Sequence, residues 1–471
     1  MKKLYKNSIY NVIYRITNVL FSLITAGYVA RILLPEGVGY FSYINTNVSY
    51  FVIFASLGLP AYGIREVAKA KKDRELLNRT YSELFIINAV FTLLSCFVYL
   101  FFVLNIFNNS DLLLYGICGS QIIFNIINID WLFQGYEEYS YIARKNLVVK
   151  IVFFILIVLF VNDKSDLPIY ALISCFATFS QYFYSIVRSR KFVSFSLKNI
   201  SIKRHMKPII ILGVTVIFST VYHKIDITML GLLTNDAEVG LYTNAHRCIE
   251  IISILCASIT SVYLPTLSEV YLRNIDEFKT ILRNGYKIIC FISIPAAFGL
   301  FVIAPEVMGL LFGNAFVSGY ITIRYFVPMI IIRGLGDLFC YQSLIAIGKE
   351  DKRVLANIIT TFINIIVNYL LIPTMGRNGA AIASVISELF INVYLYIIIK
   401  KSLSIKEDLK PFFNSLVSSL IMSCVCYFMI NLKIGNAYLN IIICIIISFI
   451  VYAACYYLID ILLNNRKLHK S

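Results

Sequence analysis

The stretch from His223 to Glu250 reads HKIDITMLGLLTNDAEVGLYTNAHRCIE, and it joins two long apolar segments through a short polar turn. Each segment is long enough to cross a lipid bilayer, which needs about 20 mainly apolar residues. Ionisable residues stand at membrane depth on both sides of the turn: Lys224, Asp226, Arg247 and Glu250. A charge at that depth is costly unless it faces protein or water, so these four residues indicate a functional site.

The composition supports a membrane protein. Hydrophobic residues make up 59% of the 471 residues and charged residues only 14%, against about a quarter charged in soluble domains. All eleven cysteines lie in apolar runs, and their spacing predicts neither disulfides nor a metal site. No cofactor is predicted. The fold class we predict is all-α and polytopic.

Hydropathy predicts about 14 transmembrane helices, the first of which we interpret as a retained span and not a cleaved signal. The tenth span is long, and Gly334 and Gly336 predict a bend in it. The predicted spans are 8–33, 39–61, 81–106, 112–133, 146–161, 167–187, 208–233, 239–264, 286–312, 318–347, 354–373, 378–399, 411–431 and 438–462.

The distribution of Lys and Arg predicts the orientation. Of the 42 basic residues, 33 fall in or at the edge of the segments that are inside if the N-terminus is inside, four fall in or at the edge of the outer turns, and five lie deeper within spans. This asymmetry predicts that both termini and the loops 65–79 and 188–207 face the cytoplasm. It also accounts for the net charge of +16 without nucleic-acid binding, because cytoplasmic loops lie beside anionic headgroups.

Short motifs recur in the same order in the two halves of the chain. VGYFSY at 38–43 is similar to VGLYTN at 239–244, and Leu-Pro closes a span at 59–60 and again at 264–265. An even number of spans separates the copies, which predicts two parallel, pseudo-symmetric six-helix bundles. The predicted domains are 1–200, 201–405 and a final helix pair with a cytoplasmic tail at 406–471.

Polar residues form stripes along several spans at helical spacing. Such stripes serve either as hydrogen bonds between helices or as the lining of a water-filled cavity. For the Asn-rich stripes we favour the cavity, and the residues assigned to it are Asn11, Asn18, Asn125 and Asn364. Arg15 shares the first of these faces without an acid on its helix, so we predict that it contacts an anion.

The other intramembrane charges leave alternatives open. Arg333 and Asp337 are spaced i, i+4, and Arg247 and Glu250 are spaced i, i+3, so each pair could be neutral on its own helix or could serve a substrate. Lys224 and Asp226 point in different directions and need partners on other helices, or a ligand. Glu388 and Arg324 could pair with each other.

The exterior turns predicted here are too short to fold into a catalytic domain, and the chain has no Walker A loop, HExxH motif or nucleophile elbow. We therefore predict a protein that is not an enzyme and does not itself hydrolyse ATP.

The fourteen spans, the stretch ARILLPEGVGYFSY and the stretch IDITMLGLLTNDAEVGLYTNAHR resemble the multidrug/oligosaccharidyl-lipid/polysaccharide exporter superfamily. The chain looks most like its polysaccharide-type flippases for O-antigen or capsule repeat units. The resemblance implies two bundles that open alternately inward and outward. It also implies transport of undecaprenyl-diphosphate-linked oligosaccharide across the cytoplasmic (inner) membrane of a bacterium. Of the family's cavity residues, the resemblance assigns only Arg15 and the Asp226 region in this chain.

A lipid-linked sugar carries a diphosphate and hydroxyls that cannot cross hydrocarbon unaided, so a flippase needs cations and amides in a wet cleft. The residues assigned to substrate binding are Arg15, Lys224, Arg247, Arg333, Asn11, Asn18, Asn125 and Asn364. Those assigned to coupling or gating are Asp226, Glu250, Asp337 and Glu388. The expected partners are the lipid-linked oligosaccharide, membrane lipid and polysaccharide-assembly proteins, and no nucleic acid.

Three alternative functions stay open from the sequence. A multidrug or cation antiporter of the same superfamily would expose acids in its cavity, and a peptidoglycan-precursor flippase would be essential for cell-wall growth. A membrane sugar polymerase is disfavoured by the short outer loops.

Overall fold

The computed structural model describes the backbone of residues 2–106, 112–349, 351–403, 408–432 and 435–468. Within these ranges it describes all side chains except those of residues 2–20, 106 and 463–468. The regular structure of this described part is helical throughout, without a strand. The predicted all-α class is confirmed.

The chain divides into two compact units, Met1–Gly240 and Leu241–Ser471. The helices that begin in the first unit are α1 (Lys2–Ser56), α2 (Leu59–Ala70), α3 (Arg74–Ile106), α4 (Leu112–Phe124), α5 (Asp130–Gly135), α6 (Tyr139–Phe160), α7 (Leu167–Ser189), α8 (Lys203–Leu233) and α9 (Asp236–Thr260). The division falls within α9. The predicted boundaries at 200 and 405 concern repeats of the sequence, and they stay predictions.

The second unit continues with α10 (Tyr263–Tyr271), α11 (Ile275–Phe312), α12 (Tyr320–Phe326), α13 (Pro328–Gly336), α14 (Ser343–Ala346), α15 (Asp351–Met375), α16 (Arg377–Leu403), α17 (Lys410–Asn431) and α18 (Ala437–Leu468). Helix α17 packs along both α11 and α18, so the C-terminal pair is joined to the rest of this unit.

A helical segment occupies each of the fourteen predicted spans. By length and apolar composition alone, nine helices of the described part could cross a membrane, and a tenth is the bent pair of α9 and α10. The remaining predicted spans correspond to helices that are shorter or carry more charge or polar residues, such as α4, which is followed by a 3-10 turn at Asn125–Ile127. The chain is a multi-pass membrane protein.

Helix α1 contains two predicted spans, separated by a sharp break at Leu34 with φ 58°. Pro35 follows it, and the residue before a proline is sterically driven out of the α-helical conformation. The tenth predicted span is also interrupted: α13 ends at Gly336, and a π-helical segment, Asp337–Gln342, leads into α14. The interruption lies beside Gly334 and Gly336, and the bend predicted from these glycines stays a prediction.

The two glycines of the repeated VG motif contact each other within the first unit. A Cβ atom at Gly39 would collide with the carbonyl oxygen of Asp236 and crowd the amide nitrogen of Gly240. A Cβ at Gly240 would in turn collide with the carbonyl oxygen of Pro35. The start of α9 therefore packs backbone to backbone against α1 just after its break, and only glycine permits this approach.

Candidate functional site

Lys224 lies in the first unit, where α8 packs against the second half of α1. Its ammonium Nζ donates a hydrogen bond to Ser49 Oγ at 2.8 Å. One turn further along α8, Thr228 Oγ1 lies 2.9 Å from Tyr50 Oη and donates to Asn47 Oδ1 at 3.5 Å. The i, i+4 spacing puts both α8 side chains on the face that meets α1.

Asp226 lies between these two residues in sequence and is buried, with 6% of its surface exposed. It is close enough to Tyr50 to interact with it electrostatically. We call this group of six residues the Lys224 cluster: Asn47, Ser49, Tyr50, Lys224, Asp226 and Thr228. It joins hydroxyl, amide, carboxyl and ammonium groups within apolar helices.

The partner of Lys224 in this cluster is a neutral hydroxyl. Among the residues that the structure describes, Lys224 forms no ion pair, and its side chain is partly exposed. An ammonium group at membrane depth is stabilised by an anion or by water. The cluster can therefore receive a negatively charged group.

Arg247 in α9 also has a neutral partner, because its Nη1 donates to Asn244 Oδ1 at 3.1 Å. Glu250, one turn along, is exposed. In the described part of the chain the two residues form no ion pair, so the local pair considered from their spacing is not formed.

Arg333 in α13 is held by an acid of another helix. Its Nε donates to Glu388 Oε2 in α16 at 3.1 Å, and the two side chains are only 19% and 13% exposed. Asp337 accepts hydrogen bonds from Thr260 and Gln342. The pairing of Glu388 with Arg324 that we considered is wrong.

Arg324 is stabilised by aromatic rings. Its guanidinium lies over the rings of Phe301 and Tyr320, at 4.9 and 4.8 Å, and its Nε donates to the carbonyl oxygen of Phe301. Cation–π contact of this kind accommodates an arginine without an acid.

Asn125 lies at the end of α4 and is completely buried. Its side-chain amide donates to Asn88 Oδ1 and Thr92 Oγ1, both at 3.2 Å, and its Oδ1 accepts from Ser56 and Asn128. In this conformation its hydrogen-bonding capacity is used within the protein, at the point where the helix is interrupted. Its role in substrate binding stays a prediction.

Asn364 lies in α15 and is 1% exposed. Its Oδ1 accepts from Asn368 at 3.0 Å, but its amide nitrogen has no hydrogen-bond partner among the described groups. The site residues Asn11, Arg15 and Asn18 belong to α1, but their side chains lie outside the described residues. Their assignments stay predictions.

Sequence reasoning missed a buried ion pair in the first unit. Lys145 Nζ donates to both carboxylate oxygens of Asp130, at 2.7 and 2.9 Å, and to Ser185 Oγ at 2.8 Å. The lysine side chain is 1% exposed. The predicted span 146–161 leaves Lys145 outside the membrane helices. The helix α6 begins at Tyr139, earlier than hydropathy predicts, and this brings Lys145 inside.

A second cluster that the sequence did not indicate surrounds Glu83 in α3. The carboxylate is fully buried and accepts from Arg79, Arg204 and the backbone of Ser201. It also contacts His205, whose Nδ1 lies 2.8 Å from Tyr62 Oη. The signal available in the sequence was Glu83, an acid at the end of the predicted span 81–106, together with the basic loop 188–207. The cluster ties α2, α3 and α8 together.

Comparison with known proteins places this fold. The sequence pattern of the polysaccharide biosynthesis protein family, Polysacc_synt, matches residues 4–271 of the chain. That match covers more than half of its length. The chain belongs to this family.

Curated relatives are distant. A probable low-salt glycan biosynthesis flippase of Haloferax volcanii is 28% identical over 209 residues, 43% of each chain. The putative O-antigen transporter of Escherichia coli strain K12 is 24% identical over 166 residues, 35% of this chain and 40% of the relative. The chain thus matches less than half the length of either. Both relatives are named for transport.

Solved structures confirm the fold. The inward closed conformation of the lipid II flippase MurJ covers 96% of this chain and 98% of its own, with a TM-score of 0.79 and 17% identity. An inward-facing multidrug resistance MATE transporter of the MOP superfamily covers 82% and 94%, with a TM-score of 0.66 and 16% identity. This member of the polysaccharide biosynthesis family has the polytopic fold of that superfamily, and the predicted resemblance is confirmed.

Proposed function

We propose that the protein is a flippase that moves undecaprenyl-diphosphate-linked oligosaccharide repeat units from the inner to the outer leaflet of the cytoplasmic membrane by alternating access. The observation that carries the proposal is Lys224, an intramembrane cation whose described hydrogen bond goes to the neutral hydroxyl of Ser49. Membership of the polysaccharide biosynthesis family and the names of the relatives support a glycan-lipid substrate.

The chemistry of the Lys224 cluster suits such a substrate. A diphosphate needs a cation in place of water when it enters an apolar protein, and Lys224 supplies one. The neighbouring side chains of Asn47, Ser49, Tyr50 and Thr228 offer donors and acceptors for sugar hydroxyls. Asp226 is buried beside them, and we assign it to coupling.

The other assigned residues take different roles in this proposal. Arg15 and Arg247 would bind the anion. Arg333 is already paired with Glu388, and this pair would contribute to gating together with Asp337. Glu250 is exposed and can exchange ions with water. For Arg15 we expect that Arg15→Gln leaves the protein inserted but blocks surface glycan, and that Arg15→Lys retains part of the activity.

The proposal includes a location and an orientation: a bacterial inner membrane with both termini in the cytoplasm. The charge asymmetry of the loops supports it. Single cysteines at positions 71 and 198 of a cysteine-free variant should resist an impermeant thiol reagent in intact cells and react after permeabilisation. Labelling in intact cells would reverse the orientation.

Lys224→Gln tests the function in cells that depend on this protein for surface glycan. We expect normal amounts of the protein in the membrane, loss of surface glycan and accumulation of lipid-linked repeat units inside. The matched control is Lys207→Gln, which removes an exposed cation from the same helix and should leave export unchanged.

The same cells separate the alternatives. A multidrug antiporter would change drug resistance without changing the lipid-linked pool, and a peptidoglycan-precursor flippase would arrest cell-wall growth. Either result, with surface glycan intact, would contradict the proposal.

A further inference from the structure

The second unit contains a cavity of about 610 Å³. Its walls come from α11, α13 with the π-helical segment, α16 and the start of α17. The residues used below are Asp276, Lys279 and Arg283 of α11, Leu389 and Val393 of α16, and Asp408 just before α17. This volume falls in the range of sites for small molecules, about 300–1,000 Å³.

The wall of the cavity is largely apolar and aromatic. The ring of Phe339 packs against Tyr286 at 5.7 Å and against Tyr396 at 5.9 Å. Leu389 and Val393 on α16 are each 49% exposed. In a membrane protein such exposed apolar side chains offer a surface for a hydrocarbon chain.

The charged lining is balanced, with two cations and two acids. Lys279 lies 3.8 Å from Asp276 on the same helix, while Asp408 is near enough to Tyr286 to interact electrostatically. Arg283 is exposed and forms no ion pair within the part of the chain that the structure describes. A ligand that carries one negative and one positive group would match this lining.

We propose that the cavity binds a zwitterionic phospholipid whose headgroup carries a phosphate and a primary amine, as in phosphatidylethanolamine. Arg283, with Lys279, binds the phosphate, since a guanidinium matches phosphate oxygens in a planar, bidentate geometry. Asp408 binds the ammonium. One acyl chain lies along Leu389 and Val393. A lipid with only negative charge would offer no cation to Asp408.

The cavity adjoins a pair already described. Asn392 lines its inner wall and donates to the backbone and side chain of Glu388, at 2.7 and 3.2 Å, and Glu388 holds Arg333. A bound lipid therefore lies one side chain away from that ion pair. The inference does not depend on the substrate proposed above.

Native mass spectrometry of the delipidated full chain in detergent tests the inference, with equimolar dioleoyl-phosphatidylethanolamine and dioleoyl-phosphatidylglycerol added. We expect the wild type to retain the ethanolamine lipid roughly threefold or more over the glycerol lipid. Arg283→Gln should weaken retention of both lipids by roughly tenfold, the value of one charge-assisted contact. Asp408→Asn should weaken only the ethanolamine lipid and so remove the preference.

Matched controls make the same changes of charge at residues outside the cavity. Arg273→Gln removes an exposed cation that pairs with Glu269, and Asp351→Asn removes an exposed acid of α15. Both should behave as wild type, whereas Leu389→Trp should block both lipids by filling the cavity. Equal or reversed lipid preference in the wild type would overturn the inference. So would an effect of Arg283→Gln no larger than that of Arg273→Gln, or stronger retention of undecaprenyl diphosphate when it is added in competition.

Discussion

Lys224 and Arg333 are both cations within apolar helices, but their surroundings differ. Arg333 has an acid partner, Glu388, on a neighbouring helix, whereas the described partner of Lys224 is the hydroxyl of Ser49. Breaking a buried ion pair leaves an uncompensated charge, so an acid-paired cation acts mainly on folding. A cation with a neutral partner keeps its charge available for a ligand. The contrast therefore separates charges that an acid already compensates from charges that are available to a ligand.

Among the cations paired with an acid, Lys145 should cause the largest loss of stability when it is replaced. Lys145→Met should lower the free energy of unfolding by about 3–5 kcal/mol, because it removes a cation that is 1% exposed and leaves the half-buried Asp130 without its ionic partner. Denaturation of the purified variant in detergent measures this change. Lys191→Met, at an exposed loop position, is the control. A loss below about 1 kcal/mol would remove Lys145 from the structural class.

The Arg333–Glu388 pair should show a smaller loss, because the cation of this pair is 19% exposed whereas Lys145 is 1% exposed. We expect Arg333→Gln to cost about 2–3 kcal/mol. The double variant Arg333→Met, Glu388→Leu should recover at least half of that loss in the same denaturation experiment. If the double variant is no more stable than the single one, the pair is not the reason that Arg333 matters for folding.

The close approach of α1 to the start of α9 depends on Gly39. Gly39→Ala should cost about 2 kcal/mol, since its methyl group meets backbone atoms that cannot rotate away. Gly116 in α4 has open space where a Cβ atom would lie. Gly116→Ala should therefore increase stability, by no more than about 1 kcal/mol. Thermal unfolding of the two variants side by side gives the comparison. Equal stabilities would mean that α1 can move away from α9 at little cost.

Arg247 belongs with Lys224 in the class with neutral partners, and it gives the smallest expected loss. Arg247→Gln should change stability by less than about 1 kcal/mol, the value of one ordinary hydrogen bond. Export of glycan by the Arg247→Gln variant should nevertheless fall in the cell assay. A stability loss as large as that of Arg333→Gln would show that Arg247 has a structural partner.

Hydropathy and the spacing of basic residues predicted most of the architecture, because the length of an apolar segment is a local property of the sequence. Each predicted span corresponds to a helical segment, and the glycines at 334 and 336 lie next to the π-helical segment. The break at Leu34 falls between the first two predicted spans, where Pro35 interrupts the helix. These features need no knowledge of the neighbouring helices.

The pairing of charges could not be predicted in the same way. Spacing along one helix suggested Arg333 with Asp337 as a local pair, but the acid that the structure shows at Arg333 comes from α16, more than fifty residues away. The predicted span begins after Lys145 because a lysine lowers hydropathy, although Asp130 and Ser185 compensate for its charge. Such contacts depend on how helices face each other, which periodicity does not specify.

The proposed substrate site centres on Lys224, and its role can be measured as transport by the purified protein in proteoliposomes. The measured quantity is the initial rate at which a fluorescent undecaprenyl-diphosphate-linked oligosaccharide crosses between leaflets. We expect Lys224→Gln to lower this rate by about tenfold to a hundredfold, the value of a charge-assisted hydrogen bond to phosphate, at unchanged thermal stability. Lys224→Arg should retain part of the rate, and Lys207→Gln all of it. A wild-type rate for Lys224→Gln, or a lower rate that only follows a loss of stability, would contradict the account.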